Sequence, residues 1–220
     1  MPPERRAPFE WLKANPIGSA LLIRQYPAVW ALLGVSVLSY LAHDSLPHTF
    51  FLYGNARFGW DQKMVGYALV AVGVMSVIVQ AGAIGPIVKA LGEKRALYFG
   101  MGMGLAAFVL YGVAWAEWVV FAAIALGGFW GVWSAAAQTI LSKAVATTEQ
   151  GRLQGALASV RAACQVFTPA LFNGAFALGV SIDTRWAGAP MLVSAALLAV
   201  ALPFAFAATQ RPGPEASASA

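Results

Sequence analysis

Apolar residues fill this chain in six long stretches separated by short polar breaks: Ala28–Phe51, Met64–Ala90, Ala96–Ala114, Val119–Leu141, Leu153–Val180 and Ala187–Ala208. Each holds the roughly 20 residues that a helix needs to cross a hydrocarbon core of about 30 Å. A backbone in lipid must satisfy its own polar groups, and a helix does so within one segment. The pattern predicts an all-α membrane protein, six transmembrane helices in one bundle. The breaks take sides in charge. Arg5, Arg6, Lys13, Arg24, Lys89, Lys94, Arg95, Lys143, Arg152 and Arg211 collect on one side of the alternating loops. Only Arg57, Lys63 and Arg185 fall on the other. Basic loops stay in the cytoplasm, which puts both termini there. An even number of crossings requires the same.

Composition sharpens this picture. The 220-residue chain is 60% hydrophobic and 10% charged, with a mean hydropathy of +0.69. Its net charge of +5 is accounted for by inward-facing loops and gives no warrant for nucleic-acid binding. Residues 1–20 lack the apolar centre of a cleaved signal, so the first helix is expected to direct insertion. Cys164 is alone, which excludes an intrachain disulfide and any C-x-x-C motif. No phosphate-binding loop is present, and two histidines without a cysteine or acid cluster make no metal site. The reading is therefore not an enzyme, with no cofactor. It divides the chain into a cytoplasmic arm (1–27), the six-helix bundle (28–208) and a disordered cytoplasmic tail (209–220). Phe9, Trp11 and Leu12 suit an arm resting in the membrane interface, or a remnant of a longer loop.

The loops carry the most distinctive sequence. After the first helix comes Arg57-Phe58-Gly59-Trp60-Asp61. The second is expected to end in Gly85-Pro86, followed by Leu91-Gly92-Glu93-Lys94-Arg95-Ala96-Leu97. Gly92 can terminate a helix, and Lys94 and Arg95 can anchor the turn at an anionic inner face. The loop after the fourth helix reads Glu149-Gln150-Gly151-Arg152-Leu153-Gln154-Gly155-Ala156-Leu157, where Gly151 and Gly155 have the spacing that admits close helix contact. Together and in order, these segments resemble the C-terminal half of a major facilitator superfamily transporter, in the tetracycline-resistance-like branch of drug exporters. Gln80, Gln138 and Ser142 also match that group. The resemblance implies a membrane half that pairs with an N-terminal six-helix half or a second copy. It implies export of a small organic compound or drug in exchange for protons across a bacterial inner (plasma) membrane. It also implies a truncation or an internal-start product, the alternative being a transport-inactive fragment that only associates with other helices. Two departures weigh against tetracycline itself: the group's intramembrane Asp is Gly104 here, and its preceding His is Ser76.

Charges at membrane depth are costly and make functional candidates. Asp44 lies about 24 Å along its helix from Ala28, towards the outer leaflet. Three- and four-residue spacing puts Ser36, Tyr40, Asp44 and His48 on one face, with His43 pointing elsewhere and Pro47 kinking the helix. Asp44 with His48 is the candidate cation or proton site, against the simpler reading of a wetted helix end. Arg161, roughly 15 Å past Gly151, sits near the midplane. It can steer an anionic substrate, pair with Asp44, meet an acid of the missing half, or snorkel to the cytoplasmic face. Trp130 and Trp133 lie mid-helix among Gly127, Gly128 and Gly131, and can face an apolar or cationic drug or simply pack. Trp60, Trp115, Trp118 and Trp186 are expected as an outer aromatic belt. Gln138, near the cytoplasmic end, suits the pathway or a helix–helix hydrogen bond. Gly100, Gly102 and Gly104 are expected to mark close packing.

Overall fold

The computed structural model describes residues 27–146 and 149–210, and the regular elements among them are helical. Helix α1 is Pro27–Phe58 and α2 is Gln62–Ile78. A π-helical turn, Val79–Ala83, leads into α3, Ile84–Val113. Then follow α4, Glu117–Gly128, α5, Gly131–Ala144, and α6, Gln150–Ile182. A 3-10 turn, Thr184–Gly188, precedes α7, Ala189–Gln210. Four stretches are long and apolar enough to cross a membrane: Gln62–Val113, Glu117–Ala144, Gln150–Ile182 and Thr184–Ala207. α1 has the length, at 32 residues, but carries many polar side chains. Several of these are satisfied by their own helix. Ser36 donates to Leu32 O, Ser45 to Ala42 O and Thr49 to Ser45 O, so the hydroxyls are buried without loss. The expected 1–27 arm and 209–220 tail lie outside the described residues, apart from Pro27 in α1 and Thr209–Gln210 in α7.

Gly92 divides the 52-residue stretch Gln62–Val113 in two. Its φ of 74° and ψ of 162° leave helical space for a region that glycine enters without steric cost. Residues on either side of it meet the same helices. A Cβ at Gly128 would lie 3.3 Å from Met75 Cβ, and one at Gly127 would lie 3.6 Å from Ala107 Cβ. Ile84 likewise reaches Gly131, while Gly100 abuts Trp133. Contacts at matching separations before and after Gly92 require the chain to reverse there, with limbs 62–91 and 93–113 antiparallel. The expected helix end at Gly85-Pro86 does not occur; the helix passes through both. Pro86 offers no N–H to the preceding turn. The π turn just before it absorbs the misfit, with Ile84 N–H bonding to Val79 O.

Polar ties gather the connections at two ends. Arg57 donates through Nε and Nη2 to Ala114 O, at 3.0 and 2.8 Å, and through Nη1 to Arg185 O. At the other end Lys143 Nζ meets Glu93 Oε1 at 2.5 Å, and Tyr98 OH shares a hydrogen bond with Thr209 Oγ1. The limb 93–113 separates the two ends by about 30 Å. The Arg57 end also buries Trp60, which was expected in the aromatic belt. Gly54 leaves space for its ring, and Phe50, Phe58 and Phe121 surround it, while Trp115, Trp118 and Trp186 are exposed.

Helices in lipid gain little from expelling water, so close backbone approach decides how they pack. α3 provides it. A Cβ at Gly100 would fall 2.3 Å from Trp133 N, one at Gly104 2.6 Å from Trp130 Cδ1, and one at Gly112 2.3 Å from Leu192 Cδ2. Gly151 and Gly155, whose spacing admits close helix contact, make none among the described residues. Nothing lies within 4 Å of a Cβ at either, because α6 buries Leu153, Ala156 and Leu157 on its other face. Gly102 also faces outward. Gly100→Val should therefore cost about 1–3 kcal/mol through overpacking, read as a lower thermal midpoint in detergent. Gly102→Ala should hold or raise stability, since alanine favours a helix over glycine by about 1 kcal/mol.

Candidate functional site

The helices enclose a cavity of about 490 Å³, a volume that suits a small organic ligand. α1 lines it with Ser39, Tyr40 and His43; α2 and the π turn add Ser76 and Gln80. α3 contributes Gly104, Phe108 and Tyr111, and α6 contributes Arg161. The remaining wall is the junction of α4 and α5, with Gly127, Gly128, Trp130, Gly131, Trp133 and Ser134.

That junction is built for aromatic side chains. The helix tightens at Phe129–Trp130, where Phe129 N bonds to Leu126 O, Trp130 N to Gly127 O, Val132 N to Phe129 O and Trp133 N to Trp130 O. These three-residue bonds break the α-helical register and bring two indoles to one side. Trp130 packs edge-on against Phe108 at 5.2 Å between centroids, and Trp133 meets Tyr40 at 6.1 Å. Gly104 makes this possible, because any side chain there would occupy the Trp130 ring. Trp130 Nε1 and Ser39 Oγ are buried with no hydrogen-bond partner among the described residues.

The charged groups differ from expectation. The cavity takes the α1 face of Ser39, Tyr40, His43 and Leu46, not that of Ser36, Asp44 and His48. Asp44 turns into the protein, 6% exposed, with Oδ2 unpartnered. Its Oδ1 lies 3.4 Å from His43 Nδ1, so its neighbour is His43 rather than His48, which is exposed outside the cavity. Adjacent helical positions diverge, yet their side chains meet here. His43 does not point away, but lies 5.3 Å from the Trp130 ring. Arg161 does not pair with Asp44. Its guanidinium sits 5.3 Å from the Tyr40 ring centroid, and it has no ion pair or hydrogen bond among the described residues.

Of the sequence candidates, then, Tyr40, Trp130 and Arg161 come together, Asp44 stands behind His43, and His48 and Gln138 lie outside. Gln138 is exposed, and Gln80 takes a place in the wall instead. The loop residues Arg57, Gly59, Trp60, Gly85, Pro86, Gly92, Lys94, Arg95, Gln150, Gly151, Gln154 and Gly155 do not line the cavity. Sequence reasoning did not place Ser39, His43 or Ser76 at the site, and it noted Gln80 only as a match to the family group. Ser39, His43 and Leu46 do follow helical spacing, one position out of phase with the face chosen. Ser76 and Gly104 were noted only as departures, and both prove to be wall positions. Among the described residues no three His, Cys, Asp or Glu side chains are grouped to hold a metal.

Comparison with known proteins accords with this architecture. Residues 2–169 match the family model of the Major Facilitator Superfamily. The chain is 31% identical over 198 residues to the tetracycline resistance protein, class C, of Escherichia coli, covering 90% of this chain and 49% of that one. It is 37% identical over 152 residues to the class G protein of Vibrio anguillarum, covering 69% and 38%. A mouse relative, the hippocampus abundant transcript 1 protein of Mus musculus, is 25% identical over 170 residues, covering 77% and 35%. The chain thus spans about half the length, or less, of the curated relatives it matches. It is a multi-pass membrane protein that belongs to the major facilitator superfamily.

Proposed function

We propose that this chain is one half of a secondary active transporter that exports a small organic compound in exchange for protons. The cavity supports this most: an aromatic, partly polar wall deep in a helical bundle, shaped like one side of a site. Transporters of this architecture bind substrate near the midplane between two repeats that rock about it. The other wall comes from a second six-helix unit, an N-terminal half or another copy. The R-F-G-W segment, the G-E-K-R-A-L turn and E-Q-G-R-L-Q-G-A-L favour the C-terminal half for this one. Large apolar side chains are exposed on α2 (Tyr67, Val70, Val74, Val77) and α6 (Val166, Phe167, Leu178), which makes these helices the natural surfaces for that unit and for lipid.

Six crossings follow once the reversal at Gly92 is counted and α1 is taken as a span. The proposed orientation keeps the Glu93–Lys143 end, rich in basic loops, in the cytoplasm of a bacterial inner membrane. Single cysteines at Asn55, Glu117 and Thr184, in a Cys164→Ser background, should react with an impermeant maleimide from outside. Those at Glu93 and Glu149 should not, and the reverse pattern would overturn the orientation.

For coupling, the two positions where tetracycline exporters carry ionisable groups are Ser76 and Gly104 here, neither of which titrates. The remaining acid–base pair at the cavity is His43 with Asp44, in place of Asp44 with His48. The same cavity wall carries Arg161 from α6 and the phenols of Tyr40 and Tyr111, and Cys164 of α6 is close enough to Asp44 to feel its charge. An imidazole and a carboxylate are, by chemical type, groups that can exchange a proton. In everted vesicles from cells expressing this chain with a six-helix partner, carried compounds should discharge an imposed proton gradient. Asp44→Asn and His43→Gln should each slow this at least tenfold with membrane insertion intact, whereas His48→Gln should leave it unchanged. Equal activity of Asp44→Asn and wild type would remove the pair from the mechanism. No discharge with any partner would favour an inactive, associating fragment.

A further inference from the structure

We infer that this cavity selects organic anions: flat aromatic molecules bearing a carboxylate or a similar acidic group, over neutral and cationic analogues. The inference rests on the transport reading for its purpose, but on the wall alone for its chemistry. The ionisable side chains that line the cavity, apart from the phenols of Tyr40 and Tyr111, are basic, Arg161 and His43. No carboxylate is among the lining residues. Asp44, the nearest acid, is buried behind His43, with one oxygen directed to the imidazole. A lipophilic cation would meet Arg161 and find no acid facing it.

Arg161 is free for a ligand. It stands over Tyr40 without an ion pair among the described residues, and a guanidinium offers five donors and no acceptor in a fork that fits a carboxylate. Arg161 and His43 are exposed at the open side of the cavity, so the pairing gains the strength of a water-shielded site when a second unit covers it. Trp130 adds a second unmet donor, because its buried Nε1 has no partner and an indole N–H only donates. The apolar part of the ligand has matching surfaces in Trp133 and Phe108, whose rings prefer offset or edge contacts with another aromatic. The volume of about 490 Å³ leaves room for two fused rings and their acidic substituent.

Three ligands of nearly equal shape separate charge from shape: 2-naphthoate, 2-naphthylmethanol and trimethyl-2-naphthylammonium. Their binding to the purified 220-residue chain in lipid nanodiscs can be measured by equilibrium dialysis. The naphthoate should bind tightest and the ammonium weakest. Arg161→Gln should weaken naphthoate at least tenfold while 2-naphthylmethanol stays within twofold, which also shows that the wall is intact. Arg161→Lys should keep part of the preference, with charge but without the fork. Tightest binding by the ammonium would overturn the inference and leave the transport reading standing with another substrate class. Unchanged naphthoate affinity in Arg161→Gln would also overturn it, as would no saturable binding of any of the three. Naphthoate selectivity in a chain that never discharges a proton gradient would instead retain the anion site and remove transport.

Discussion

Close approach at glycine is the constraint on which this bundle depends. Between helices surrounded by lipid, the driving force is contact and hydrogen bonding rather than release of water, so a helix pair is held by how near its backbones come. α3 carries Gly100, Gly104 and Gly112 where α5, the α4–α5 junction and α7 press against it. At the first two positions the neighbour is a tryptophan. The missing side chains are therefore what let two indoles enter the bundle and become a cavity wall. Gly92 adds the reversal that brings limb 62–91 back beside limb 93–113. Small residues thus position large ones, and the large ones define the site.

Polar chemistry is arranged around this packing with little left unmet. The buried hydroxyls of α1 bond to their own helix, Tyr53 OH donates to Tyr111 O at 2.7 Å, and Arg57 ties three connections together at one end. Against that background the unpartnered atoms stand out. Of these, Asp44 Oδ2, Ser39 Oγ and Trp130 Nε1 lie on residues at or just behind the cavity wall, whereas Trp60 Nε1 lies at the Arg57 end. A buried polar atom without a partner costs about 1–3 kcal/mol. A site that is completed by a ligand, a proton or water is a physical reason to carry that cost.

The helices were legible because hydropathy and loop charge are local signals. The stretches from Met64 to Ala208 all recur as helices, and the order of the loop motifs carries the family resemblance. The helix ends were less so: Pro86 looked like a stop, but a π turn five residues long let the helix continue. Trp60 looked interfacial, yet the missing side chain at Gly54 draws it inside. On α1 the error was one of phase. Seven polar side chains within Ser36–His48 define two overlapping faces, and spacing alone cannot tell which one meets the cavity. Arg161 and Trp130, picked out by depth and residue type, both line the cavity. His43 was missed because its contacts, to Asp44 and Trp130, depend on how α1 is rotated against the α4–α5 junction.

The most direct test of this arrangement is whether one helix touches both limbs of the Gly92 hairpin. In a Cys164→Ser background, the pairs Met75→Cys/Gly128→Cys and Ala107→Cys/Gly127→Cys place Cβ atoms 3.3 and 3.6 Å apart, close to disulfide geometry. Mild oxidation in native membranes, followed by mass spectrometry of the linked peptides, should find both disulfides. Formation of the Ala107–Gly127 bond without the Met75–Gly128 bond would mean that limb 62–91 does not fold back onto α4, and the cavity would lose the wall that holds Ser76 and Gln80.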